Sequence, residues 1–177
     1  MVFTQPAKYS SNEAYALKSL GDVMSIKLVE QLREEKGGVY GVSASGSMGR
    51  IPYTSSNFNI VFPCAPENVD TLSKAALDEL RKIINNGVTS EDLEKIKEQQ
   101  KRKLEVDVKQ NQFWLNGLYE AWYYGTSPAE ILKKEQQVED LNSAMIQQVA
   151  KKYINLSKFI RVVLKPGKEE EKPLKGF

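Results

Sequence analysis

Residues 28–47 read LVEQLREEKGGVYGVSASGS, and the rest of the chain is organised around them. Leu28 and Leu32 stand one helical turn apart, with Glu30, Glu34, Glu35 and Lys36 on other faces, so the stretch begins as an amphipathic helix. It stops at Gly37-Gly38, where a left-handed helix cap costs least. From Val39 onward small and β-prone residues predict a strand. Two side chains flank this junction: Arg33 in the last helical turn and Tyr40 two residues past the glycines. A sharp helix-to-strand turn can hold such a pair near one point. The guanidinium fork and the phenol hydroxyl could then grip a peptide carbonyl or a developing oxyanion. The same residues admit a plainer role, with Arg33 capping its own helix and Tyr40 packing on a neighbour.

Upstream, residues 12–36 read as one long helix, because Leu17, Leu20, Met24, Leu28 and Leu32 recur at three- and four-residue steps. Gly21 interrupts this helix at a cost of up to ~1 kcal/mol relative to alanine, which marks it as a close packing point. Residues 1–11 read as the end of a strand followed by an N-cap at Ser10 or Ser11. Downstream, residues 39–48 and 57–62 read as two strands joined by a loop over 49–56. In the second strand Phe58, Ile60 and Phe62 alternate with Asn57, Asn59 and Val61, so one face is core. The first strand is polar. It is either an ordinary sheet edge or an edge that accepts another extended chain.

The helix after Pro66 carries the stripe Leu72, Ala76, Leu80 and Ile83/Ile84 and ends at Asn85-Asn86-Gly87. Thr89 caps the next helix, with Asp92 in capping-box position. That helix interleaves lysines and glutamates all round, which reads as a solvated face rather than a surface for nucleic acid. Phe113, Trp114, Leu115, Leu118, Tyr119, Trp122, Tyr123 and Tyr124 follow within twelve residues. Such a cluster reads as core or as a buried subunit contact, so Trp114→Ala is expected to lower the melting temperature. Ser127-Pro128-Ala129-Glu130 opens a short helix through about Val138, and Asn142 caps another with Met145/Ile146, Val149/Ala150 and Tyr153 on its apolar face. Residues 159–164, FIRVVL, read as a final strand apolar enough to be central in a sheet. Residues 168–177 read as a disordered charged tail. Helices grouped between strands predict an α+β fold: a mostly antiparallel sheet with helices packed on one face, as a single domain over residues 1–167. Three strands make a thin sheet for so much helix, so one or more N-terminal strands are expected to be missing or only partly present.

Composition narrows the chemistry. The 177 residues contain no histidine and one cysteine, Cys64, so neither a catalytic nor a structural zinc site can be assembled, nor a Ser-His-Asp or Cys-His arrangement. A net charge of +2 gives no strong pull toward nucleic acid. No apolar run is long enough to span a membrane and no signal pattern opens the chain, which predicts a soluble chain.

At this point the residues resemble a family. Leu32-Arg33-Glu34-Glu35, Gly37-Gly38 and Tyr40, followed by a small-residue strand, are similar to the C-terminal domain of pitrilysin/insulinase-type zinc peptidases, most of all the large bacterial members. Phe62-Pro63-Cys64 with Pro66-Glu67-Asn68-Val69, the helix start at Gly87-x-Thr89, the segment 111–114, Tyr124-Gly125 with Pro128, and Lys165-Pro166 follow in the same order. Those enzymes carry an H-x-x-E-H zinc motif in a separate domain. The resemblance implies a zinc-bearing partner domain, a peptide substrate enclosed between the two, and a transition-state and substrate-binding role for Arg33 and Tyr40. It implies no hydrolysis by this chain alone, and a periplasmic parent. Since the family includes members that have lost catalysis, a non-catalytic scaffold or partner subunit is the alternative.

Overall fold

The computed structural model describes residues 1–34, 41–165 and 167, and for 32–34 the backbone only. The Gly37-Gly38 cap, Tyr40 and the tail expected over 168–177 lie outside the described residues. Three strands form an antiparallel sheet in the order β1-β3-β2: β1 (Val2–Pro6), β2 (Ser43–Gly49) and β3 (Ser55–Val61). Helix α1 (Ser11–Leu28) joins β1 to β2 and continues into a π-helical turn, Val29–Glu34. After a single 3-10 turn, Pro66–Asn68, come α2 (Val69–Asn86), α3 (Ser90–Asp107) and α4 (Asn111–Tyr124). A 3-10 segment, Pro128–Lys133, leads into α5 (Lys134–Asp140) and α6 (Ser143–Tyr153). The fold is the expected α+β arrangement, with helices packed on a small antiparallel sheet.

The period of each apolar pattern dictates which face is inside. In β3, Phe58 and Ile60 are buried, and Phe3 of β1 pairs with Phe58. The alternate positions carry Asn57 and Asn59. Above this face lie Leu17, Leu20, Met24 and Leu28 of α1, with no exposed surface, then Leu72, Ala76, Leu80 and Ile83 of α2 and Ile146, Val149 and Ala150 of α6. Caps fix where the helices begin. Ser10 accepts a hydrogen bond from the Glu13 amide, Thr89 from Asp92 and Asn142 from Met145, so each satisfies a backbone donor the helix leaves free.

The third strand is not the one expected. Residues 159–164 do not enter the sheet as a strand. Ile160 alone exchanges two backbone hydrogen bonds with Val2, at 2.8 and 2.9 Å. Val162 is 69% and Leu164 95% exposed, because an antiparallel register that matches Ile160 to Val2 carries them past the Met1 end of β1. The central position belongs to β3, and β1, expected to be only partly present, supplies the neighbour.

The aromatic cluster also departs from a core reading. The buried residues of α4 are Gly117 and Ala121. A Cβ built on Gly117 would sit 2.7 Å from Ile131 Cδ1, so the helix packs through its smallest residues against the 3-10 segment. Its large side chains then face away: Trp122 is 79% exposed, with Leu115, Leu118 and Tyr119 each above half. Trp122→Ala is therefore expected to shift the melting temperature by no more than ~2 °C, the effect of an ordinary surface change. A drop of ~10 °C in a thermal melt would place the ring in a buried contact.

A polar seam joins α1 to α3. The Tyr15 hydroxyl donates to Gln100 Oε1, and Gln100 Nε2 donates to Ser19 Oγ at 3.1 Å and Asp22 Oδ2 at 2.7 Å. Burial, with the Asp22 charge nearby, pushes the Tyr15 phenol up to about 12. The native state thus holds this proton more tightly than the unfolded chain. Its contribution is fully present below pH ~10 and is lost as pH rises from there through about 12. Ultraviolet titration of tyrosinate should show a late-ionising component, to which Tyr153 also contributes because burial raises its phenol, and this component should shrink by one tyrosine in Tyr15→Phe. Loss in Tyr15→Phe of a component that ionises at pH ~10, with the late component unchanged, would contradict this placement.

Candidate functional site

The junction singled out in the sequence is assembled from α1 below and β2 beside it. An added Cβ on Gly21 would fall 2.9 Å from both the Ser45 Cα and the Gly46 nitrogen, and one on Gly46 would strike the Leu17 carbonyl. Helix and strand backbones touch here because neither residue has a side chain, which explains Gly21 within a helix. One turn further on, Ser25 Oγ donates to the Ala44 carbonyl (3.1 Å) and accepts from the Ala44 amide (2.8 Å). The N–H and C=O of one strand residue point the same way, and β2 is the outer strand of its sheet. Helix α1 therefore occupies the open edge of β2 at Ala44. An incoming chain cannot pair there, which narrows the strand-accepting reading of this edge.

The C-terminal end of α1 is tied to the helices behind it. Lys27 Nζ lies 2.8 Å from Asp92 Oδ2 and 3.7 Å from Glu79 Oε1, and both carboxylates are buried. Burial alone would discharge these groups. It is outweighed by the hydrogen bond and mutual attraction, so the Lys27 pKa is raised and that of Asp92 is held below the usual carboxylate range. The pair is ionised at neutral pH and ties α1 to the first turn of α3, with Glu79 in the body of α2 beside it. Asp92 also accepts from the Thr89 hydroxyl, at 2.6 Å, so the residue that starts α3 holds α1. Beyond this anchor the π-helical turn begins. Gln31 Oε1 is buried there with no hydrogen-bond partner among the described residues. The backbone of Arg33 lies in this turn. Its side chain and all of Tyr40 lie outside the described residues, so the geometry bears on the frame that carries them. Sequence reasoning found Gly21 as a contact point but missed Ser25 and Lys27, whose signal was a polar residue on the inner side of an apolar stripe.

A family model described as the peptidase M16 inactive domain matches residues 1–100. This chain belongs to that family. A zinc protease PQQL-like protein of Arabidopsis thaliana is 28% identical over 109 residues, 59% of this chain and 11% of that protein. The M16 fold is seen in the periplasmic protease PqqL of Escherichia coli, with a TM-score of 0.71 at 20% identity over 86% of this chain and 17% of that one. The inactive peptidase domain of a putative zinc protease from Bordetella parapertussis matches with a TM-score of 0.70 at 16% identity, covering 96% of this chain and 92% of that one. The M16 chain described here thus spans about a tenth of the curated relative it matches. Its donor set does not fit zinc: the sequence has no histidine and one cysteine. Among the described residues no group of three or more His, Cys, Asp or Glu could hold a metal ion, and no helix is long and apolar enough to cross a membrane.

Proposed function

We propose that this M16 inactive domain is the substrate-binding, chamber-closing half of a zinc peptidase that hydrolyses peptides. The observation that carries the proposal is a chain of a peptidase family that contains no histidine. Zinc and the general base belong to a partner domain, so the role left to this chain is to hold peptide. Arg33 and Tyr40 are the residues assigned to that task. Arg33 would grip the substrate backbone, and Tyr40 would donate its hydroxyl toward the oxygen that becomes negative during attack. The anchoring of α1 through Ser25, Lys27 and Asp92 supports this assignment, because a catalytic donor works only when its carrier is rigid.

The exposed aromatic face of α4 favours a second reading, a scaffold subunit that acts through protein contacts, since a contiguous apolar surface of this kind is ordinarily covered by a partner. Both readings require association with a zinc-motif domain. Sedimentation of the chain with such a domain separates them from an unrelated binding module. A complex at micromolar concentration is the expected result; two independent species at high concentration would overturn the proposal.

A further inference from the structure

A second candidate site lies at the opposite end of α1, about 30 Å from the junction along the helix. An open cavity of ≈ 740 Å³ is bordered there by the first turns of α1, the end of β2, α4 and the 3-10 segment. Arg50 lines it. The guanidinium carbon stands 3.6 Å from the centre of the Tyr9 ring and 4.4 Å from that of Tyr124. Two rings thus pack against the guanidinium, and neither takes up its N–H donors, which lie in one plane and suit a carboxylate bound through both oxygens. Four arginine side chains are described. Arg81, Arg102 and Arg161 each hold a carboxylate; among the described residues Arg50 holds none.

We propose that this cavity binds a peptide through a single carboxylate seated on the edge of Arg50. The surroundings select that class. Lys134 also lines the cavity and stands over the Phe113 ring, at 4.8 Å, so its charge adds to that of Arg50 without being neutralised by an acid in the described structure. Glu120 and Glu130 line it too. Glu130 is paired with Lys133 at 2.6 Å, whereas Glu120 has no cation beside it among the described residues and turns polyanions away. One acidic group is therefore favoured over a phosphate chain, and the volume accommodates flanking peptide as well as the carboxylate. The inference is independent of the roles given to Arg33 and Tyr40 and of any zinc-bearing partner.

Calorimetry with the whole chain tests it, using three short peptides of one length: one with capped termini and a central glutamate, one with a free C-terminal carboxylate and no acidic side chain, and one neutral analogue with glutamine and a C-terminal amide. One of the two acidic peptides is expected to bind at least about tenfold more tightly than the neutral one, and which of them does so names the source of the carboxylate. Arg50→Ala should erase that difference. Arg50→Lys, which keeps the charge but not the fork, should retain only part of it while melting like the parent. Equal affinity for all three peptides, an acidic preference that survives Arg50→Ala, or tighter binding of tripolyphosphate than of either acidic peptide would overturn the proposal.

Discussion

Gly46→Ala is expected to lower the melting temperature by roughly 6–12 °C, the largest effect of a glycine-to-alanine change among the described residues. The cause is local. The new Cβ would collide with the Leu17 carbonyl and approach Leu17 Cγ to 2.9 Å. A side chain could turn aside, but a carbonyl held in an α-helix cannot, so either α1 lifts from β2 or the strand moves outward. Either motion also opens the neighbouring contact of Gly21 with Ser45 and stretches the Ser25–Ala44 hydrogen bonds. A penalty of about 3 kcal/mol follows at the upper end of ordinary overpacking. Gly41→Ala is the control, since a Cβ there meets nothing within 4 Å among the described residues. Thermal melts of the two variants should differ sharply; equal melts would mean that α1 and β2 are not in backbone contact.

Arg33→Ala and Tyr40→Phe should each cost an assembled enzyme about 2–4 kcal/mol of transition-state stabilisation, roughly thirty- to a thousandfold in turnover. The two losses should not add fully, because both residues act on one substrate segment. Melting of the isolated chain should be unchanged in both variants, since their role is assigned to substrate rather than to the fold. The split between parameters carries information. If Arg33 grips substrate in ground and transition states alike, its loss raises KM, whereas loss of a hydroxyl that acts only on the developing charge lowers kcat. Wild-type kcat/KM in both variants would remove them from the site.

Much of this architecture was legible in the sequence because it rests on periodicity. The stripes of α1, α2 and α6 gave most of the buried faces, and Ser10 (read as Ser10 or Ser11), Thr89 and Asn142 marked their helices through side-chain oxygens that accept from the first free amides. Two readings of burial within the chain, the central strand at 159–164 and the core half of the α4 reading, failed for one physical reason: hydrophobicity was treated as burial. The FIRVVL segment is apolar enough for a central strand, but a strand is placed by its pairing partner. Val2 accepts Ile160 only at the end of β1. In α4 the aromatic residues outweighed everything near them, yet Gly117 and Ala121 make the contact, since close approach is set by what a residue lacks. Ser25 and Lys27 show locally only as polar residues on the inner side of an apolar stripe; what they clip lies 19 and 65 positions away and is not written beside them.

The central claim is that this chain holds substrate for a zinc centre it does not contain. Peptide hydrolysis by the chain mixed with a separately produced zinc-motif domain, compared with each alone and with a chelator present, tests it most directly. Hydrolysis by the mixture well above the sum of the parts, abolished by chelator, is the predicted result. Hydrolysis by the zinc-motif domain alone, unchanged when this chain is added and shown to be bound, would contradict it.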